Sequence, residues 1–116
     1  MVILVVDDNA VVSESVTDYL RECGHQVFQA PDGVHAIEIA SRIAASLQAV
    51  VTDIEMPGLD GITMWKRMVP MVSPSCRVLF MTGGKTTLDR GSIPGELLLK
   101  PFSLPDLKRR LASLDP

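Results

Sequence analysis

Val2-Ile3-Leu4-Val5-Val6-Asp7-Asp8 is an unbroken apolar run that ends on two adjacent carboxylates. A strand with one wet face alternates apolar and polar residues. A run without alternation is the pattern of a strand buried on both faces, as in a parallel sheet. Ala49-Val50-Val51-Thr52-Asp53 repeats the pattern and ends on a lone acid. In an open α/β sheet, ligands sit at the carboxyl ends of the strands. If these two strands are neighbours, Asp7, Asp8 and Asp53 converge at one edge. Crowded carboxylates repel, so the arrangement calls for a counter-charge. A hard divalent cation held by oxygen ligands supplies it, with Mg²⁺ first and Mn²⁺ as the alternative.

Outward from these runs, strand-like and helix-like segments alternate, which predicts a parallel sheet with helices on both faces. The first strand covers about Val2–Asp7. A helix over about Ala10–Cys23 aligns Val12, Val16, Tyr19, Leu20 and Cys23, and Gly24 stands where a glycine ends a helix. Gln26–Ala30 is a short, partly polar strand suited to a sheet edge. Pro31-Asp32-Gly33 turns into a second helix reaching about Ala45, with Ala36, Ile37, Ala40 and Ala44 toward the sheet. After the strand Ala49–Asp53, the segment Glu55–Gly61 is too rich in Pro and Gly for regular structure. A third helix from about Gly61 must stop or kink near Pro70. Arg77–Met81 is a fourth strand ending at Thr82, and Leu97–Leu99 a fifth ending at Lys100. The last helix starts at Ser103, with Asp106 three residues on. Leu104, Leu107, Leu111 and Leu114 form its buried stripe.

The 116 residues suit a single domain, 1–116, and a 47% hydrophobic content fills one core. A net charge of −3 leaves no basic excess for neutralising phosphates, which argues against nucleic acid as a partner. No stretch is long enough to span a bilayer, and the apolar start is too short for a signal sequence. Cys23 and Cys76 lack metal-ligand spacing and read as reduced thiols in or near the core. A cytoplasmic domain without membrane contact is the expectation. Trp65 and the methionines read as packing, Lys108, Arg109 and Arg110 as a solvated face, and His25 and His35 as surface residues without a catalytic role.

Four of the five predicted strands end in a chemically useful group. These are Asp7 and Asp8, then Asp53, Thr82 and Lys100. Phosphoryl transfer, which depends on charge and positioning, needs such a set. Asp53 can attack phosphorus and form an acyl phosphate. A metal at Asp8 and Asp53, with Asp7 acting through a metal-bound water, would screen the carboxylates against an incoming anion. The Thr82 hydroxyl and the Lys100 ammonium can each serve a further phosphoryl oxygen.

Val5-Val6-Asp7-Asp8, Asp53-Ile54-Glu55-Met56-Pro57-Gly58-Leu59-Asp60-Gly61, Met81-Thr82-Gly83 and Leu99-Lys100-Pro101-Phe102 resemble the motifs of receiver domains of bacterial two-component response regulators. The resemblance covers essentially the whole chain, in order. It implies a flavodoxin-like, doubly wound five-stranded parallel sheet of order 2-1-3-4-5 with five flanking helices. It implies Asp53 as phosphoacceptor and a histidine kinase or histidine phosphotransfer protein as donor, with a downstream protein target. It also implies Mg²⁺ on Asp8, Asp53 and the backbone carbonyl of Glu55, and a cis peptide before Pro101. Val11, off the buried stripe of the first helix, falls where the family docks its phosphodonor helices.

Two departures touch the family's output face. Leu97 stands where receivers usually carry a switch aromatic. The segment between Thr82 and Lys100 is short and rich in Gly and Pro, which predicts a fourth helix that is short or poorly ordered, about Thr86–Arg90. The Thr-Gly-Gly variant resembles receivers of hybrid kinases or stand-alone relay receivers. The expectation is a monomer that passes or stores phosphate rather than an activation-dependent dimer. Glu55 and Gly84, each two residues past a site residue, are candidates for tuning phosphate lifetime. Two other functions compete. One is a pseudo-receiver acting only as an interaction module. The other is a hydrolase with an aspartyl nucleophile, for which Glu55 would be the acid-base.

Overall fold

The computed structural model describes residues 1–83 and 93–114. Within them run β1 (Val2–Val6), α1 (Ala10–Glu22), β2 (Gln26–Ala30), α2 (Gly33–Ile43), β3 (Ala49–Asp53), α3 (Gly61–Met68), β4 (Arg77–Thr82), β5 (Glu96–Leu99) and α4 (Leu104–Ala112). The five strands form one parallel sheet in the order β2-β1-β3-β4-β5. The partly polar β2 lies at an edge, and β1 and β3 are neighbours, with Val6 beside Thr52. The expected helix at Thr86–Arg90, and Gly84, fall outside the described residues; four helices flank the sheet among those described.

The unbroken apolar runs are explained by the way each strand divides between two cores. Leu4, Val6, Val50 and Phe80 pack on one face with Ala36 and Ala40 of α2 and Met64, Trp65 and Met68 of α3. Ile3, Val5, Val51, Leu79 and Met81 pack on the other with Val16 and Leu20 of α1 and Leu107 and Leu111 of α4. Successive side chains of a strand point to opposite faces, so only a sequence apolar at every position supplies both cores.

The helices begin on side-chain caps. Asn9, Asp32, Asp60 and Ser103 each accept from backbone N–H groups of the first turn. His35 belongs to such a cap: its Nδ1 lies 2.8 Å from the Asp32 carboxylate at the exposed start of α2. Helix α1 ends at Gly24, whose φ of +94° suits a residue without Cβ.

Some boundaries shift for local reasons. Strand β1 stops at Val6, although the Asp7 N–H still reaches Ala30 O at 3.3 Å. Helix α2 stops at Ile43 because the Ser46 and Leu47 N–H groups both turn back onto its carbonyl, leaving Ala45 outside. On α1 the fully buried positions include Ser13 and Thr17, whereas Val12, Tyr19 and Cys23 are half-buried. Ser13 tolerates burial because its hydroxyl accepts from the Gln29 side-chain amide at 3.0 Å. Both cysteines are free thiols, and burial pushes the Cys76 thiol up to about 11, too high for a thiolate near neutral pH. No helix among the described residues is long and apolar enough to cross a membrane.

Candidate functional site

Parallel strands place all their carboxyl ends on one edge of the sheet. Asp7 follows β1, Asp53 closes β3, Thr82 closes β4 and Lys100 follows β5. Pairing continues past β5, since the Lys100 N–H donates to Thr82 O at 2.7 Å. The Lys100–Pro101 peptide is cis, as the family resemblance implied.

The structure brings Asp7, Asp8 and Asp53 together, with one carboxylate oxygen of each lying within 4.8 Å of the others. They are not equivalent. Asp7 is 1% exposed and Asp53 7% exposed, whereas Asp8 is open to solvent. Asp7 is held from two sides: its Oδ1 accepts the Asn9 N–H at 2.9 Å and its Oδ2 the Lys100 ammonium at 3.2 Å. The same ammonium lies 3.4 Å from Asp53 Oδ2. Lys100 thus bridges the two buried carboxylates.

Burial pushes the Asp53 carboxyl up to about 6, and the negative charges of Asp7 and Glu55 add to the rise against the opposing pull of Lys100. For Lys100, burial alone would lower the ammonium, but Asp7 and Asp53 outweigh it and hold the group above its ordinary value. A carboxyl shifted this far at a strand end, beside two more carboxylates and a cation, is a site out of charge balance. The donors are all hard oxygens, and the exposed Asp8 leaves a path for entry, so the cluster fits a divalent cation.

Thr82 is fully buried, and its hydroxyl donates to Glu55 Oε1 in a short hydrogen bond. The sequence reading placed Glu55 beside the site for its charge and its backbone carbonyl but missed this bond. Its signal lies in topology: β3 and β4 are neighbours with Asp53 beside Met81, so the residues just past both strands share one corner. Val11, 78% exposed, lines an apolar groove of about 460 Å³ with Val12, Val16, Pro101, Phe102 and Leu104, next to Lys100. Leu97 is half-buried against the core on the α2–α3 face.

Residues 3–112 match the family described as the response regulator receiver domain. The chain is 33% identical over 113 residues to the uncharacterized transcriptional regulatory protein YrkP of Bacillus subtilis, covering 94% of this chain and 47% of that protein. It is 31% identical over 110 residues to the sporulation initiation phosphotransferase F of the same organism, covering 91% of this chain and 86% of that protein. Among solved structures, the receiver domain from the hybrid histidine kinase CckA superposes with a TM-score of 0.86 at 29% identity, with 98% of each chain covered. The chain thus spans about half the length of one of these relatives and most of the other.

Proposed function

This chain belongs to the response regulator receiver domain family of two-component signalling, and on that premise we propose that Asp53 accepts a phosphoryl group from a phosphohistidine donor. The observation that carries the reading is the convergence of the Asp7, Asp8 and Asp53 oxygens beside the Lys100 ammonium. An Asp53 carboxylate oxygen attacks phosphorus, the P–N bond of the donor breaks, and an acyl phosphate forms. The departing imidazole nitrogen takes a proton from water. Asp7, Asp8, Asp53 and the Glu55 carbonyl would hold Mg²⁺, which would supply the positive charge that lets an anion approach three carboxylates.

The chain's own groups divide the remaining work. Lys100, already poised between Asp7 and Asp53, offers its ammonium to the transferred group. Thr82 offers a hydroxyl. Asp7 holds Lys100 at the site, and Asn9 holds Asp7. The apolar groove at Val11 receives a helix of the histidine kinase or phosphotransfer protein, a contact that excludes water around the reacting atoms.

Incubation with Mg²⁺ and acetyl phosphate, followed by intact-mass measurement, tests the reading. A stoichiometric adduct is expected in the wild-type chain and none in Asp53→Ala. Absence of any adduct would point to a pseudo-receiver, and rapid turnover of a phosphate ester to a hydrolase.

The output follows the relay rather than the dimer pattern. Leu97 cannot perform an aromatic rotation between buried and exposed positions. Sedimentation with Mg²⁺ and beryllofluoride, a phosphoryl mimic, is expected to give a monomer; a tight dimer formed only on activation would contradict this.

A further inference from the structure

We propose that Glu55 is a positioning residue that holds the Thr82 hydroxyl away from the phosphoryl position, so that phosphorylation of Asp53 requires the Glu55–Thr82 bond to open. The proposal rests on the phosphoacceptor reading and adds to it a contact specific to this chain. A threonine hydroxyl has a single proton to donate. In this structure that proton goes to Glu55 Oε1. While it does, Thr82 has no proton to give to an oxygen on Asp53.

The geometry makes the contact a latch. Thr82 is fully buried at the end of β4, and its backbone is fixed by pairing with β5, Leu99 lying beside it. Its side chain therefore has few alternatives, and a change of partner amounts to a rotation of the hydroxyl. Glu55 sits on the exposed loop just after β3 and can swing into solvent. A hydrogen bond to an ionised acceptor is stronger than one to a neutral acceptor. Glu55 thus favours the resting arrangement through a bond that its own mobility can release. An incoming phosphoryl group brings three anionic oxygens to the same corner, which both repels Glu55 and competes for the Thr82 proton. The latch also acts upstream of β5, so it needs no aromatic at Leu97.

A double-mutant cycle on beryllofluoride affinity, in the presence of Mg²⁺, separates the latch from simple charge repulsion. The variants are Glu55→Ala, Glu55→Gln, Thr82→Val, Thr82→Ser and the double substitutions, each checked for folding by circular dichroism. Glu55→Ala is expected to tighten binding roughly fivefold to tenfold in the Thr82 background, an effect of the size of one ordinary hydrogen bond, because exposure of the Glu55 carboxylate weakens its charge-assisted bond. Glu55→Gln keeps an acceptor but loses the charge and should fall between. In the Thr82→Val background the gain should shrink to what charge alone contributes, and in the Thr82→Ser background it should return. Equal gains in the Thr82 and Val backgrounds would overturn the latch and leave the phosphoacceptor reading intact. No uptake of beryllofluoride by the wild-type chain would overturn that underlying reading, and the latch with it.

Discussion

Gly61→Ala should destabilise the protein by about 4 kcal/mol or more, at the far end of what single substitutions do. A Cβ at position 61 would lie 2.0 Å from Asp53 O, 3.0 Å from the Asp53 carbonyl carbon and 3.2 Å from Ile54 Cα. All three are backbone atoms, so no side-chain rotation relieves the overlap. Nor can the backbone yield cheaply. Asp53 is paired with Met81, the Ile54 N–H donates to Met81 O at 2.9 Å, and the Gly61 N–H donates to Ile54 O at 2.9 Å. Replacing glycine by alanine also lowers the entropy of the unfolded chain, a gain of about 0.4–1 kcal/mol that the overlap far exceeds. Domains of this size are stable by only about 5–15 kcal/mol, so the variant should melt more than about 12 °C below the wild type or fail to fold. A melting temperature within a few degrees of wild type would refute the close approach. The same contact explains why α3 starts where it does: its first turn is seated on the strand end that carries Asp53.

Asp53→Asn should stabilise the metal-free protein at pH 7.5, by roughly 3 kcal/mol, with the gain vanishing well below pH 4. The wild-type carboxyl is raised from its ordinary 3.8 to about 6, by burial first and then by the charges of Asp7 and Glu55. Below about pH 3 it is protonated in both folded and unfolded chains and contributes almost no difference. Between about pH 4 and pH 6 the unfolded chain releases its proton while the folded chain retains it, so stability falls as pH rises through this window. Above it, the folded state bears the full cost of a buried, crowded charge. Asparagine mimics the protonated acid and avoids that cost. Urea melts of both proteins in chelator at pH 7.5 and pH 4.5 check the sign. A variant less stable than wild type at pH 7.5 would contradict it. Adding Mg²⁺ should reverse the ranking, because a ligand that binds only the folded wild type stabilises it in proportion to log concentration. The residue that performs the proposed chemistry is therefore one that weakens the resting fold.

Strand positions were the most legible part of the chain. Val2–Val6 and Ala49–Asp53 are apolar throughout, and Gln26–Ala30 is apolar only in part; these patterns separate central strands from an edge strand. The helix starts at Asn9, Asp32, Asp60 and Ser103 follow from local capping chemistry. Buried polar positions on a helix were less legible. Ser13 and Thr17 are buried on α1 where the expected stripe was apolar; the Ser13 hydroxyl is met by Gln29, and that neighbour belongs to another element, so the periodicity of α1 does not reveal it.

By itself the sequence determined which groups stand at the strand ends: Asp7, Asp8, Asp53, Thr82 and Lys100, each at the end of an apolar run or a short strand. Periodicity and turn chemistry are local, and local information suffices for that. Only the tertiary structure decided what those groups do to one another. Lys100 meets Asp7 across 93 residues of chain, and Thr82 meets Glu55 across 27. The burial of Asp7 beside an exposed Asp8, the elevated Asp53 carboxyl and the engaged Thr82 hydroxyl all arise from strand order. Electrostatic energy and hydrogen-bond partnership depend on distance in space, which the order of β2-β1-β3-β4-β5 sets and the spacing of residues along the chain does not.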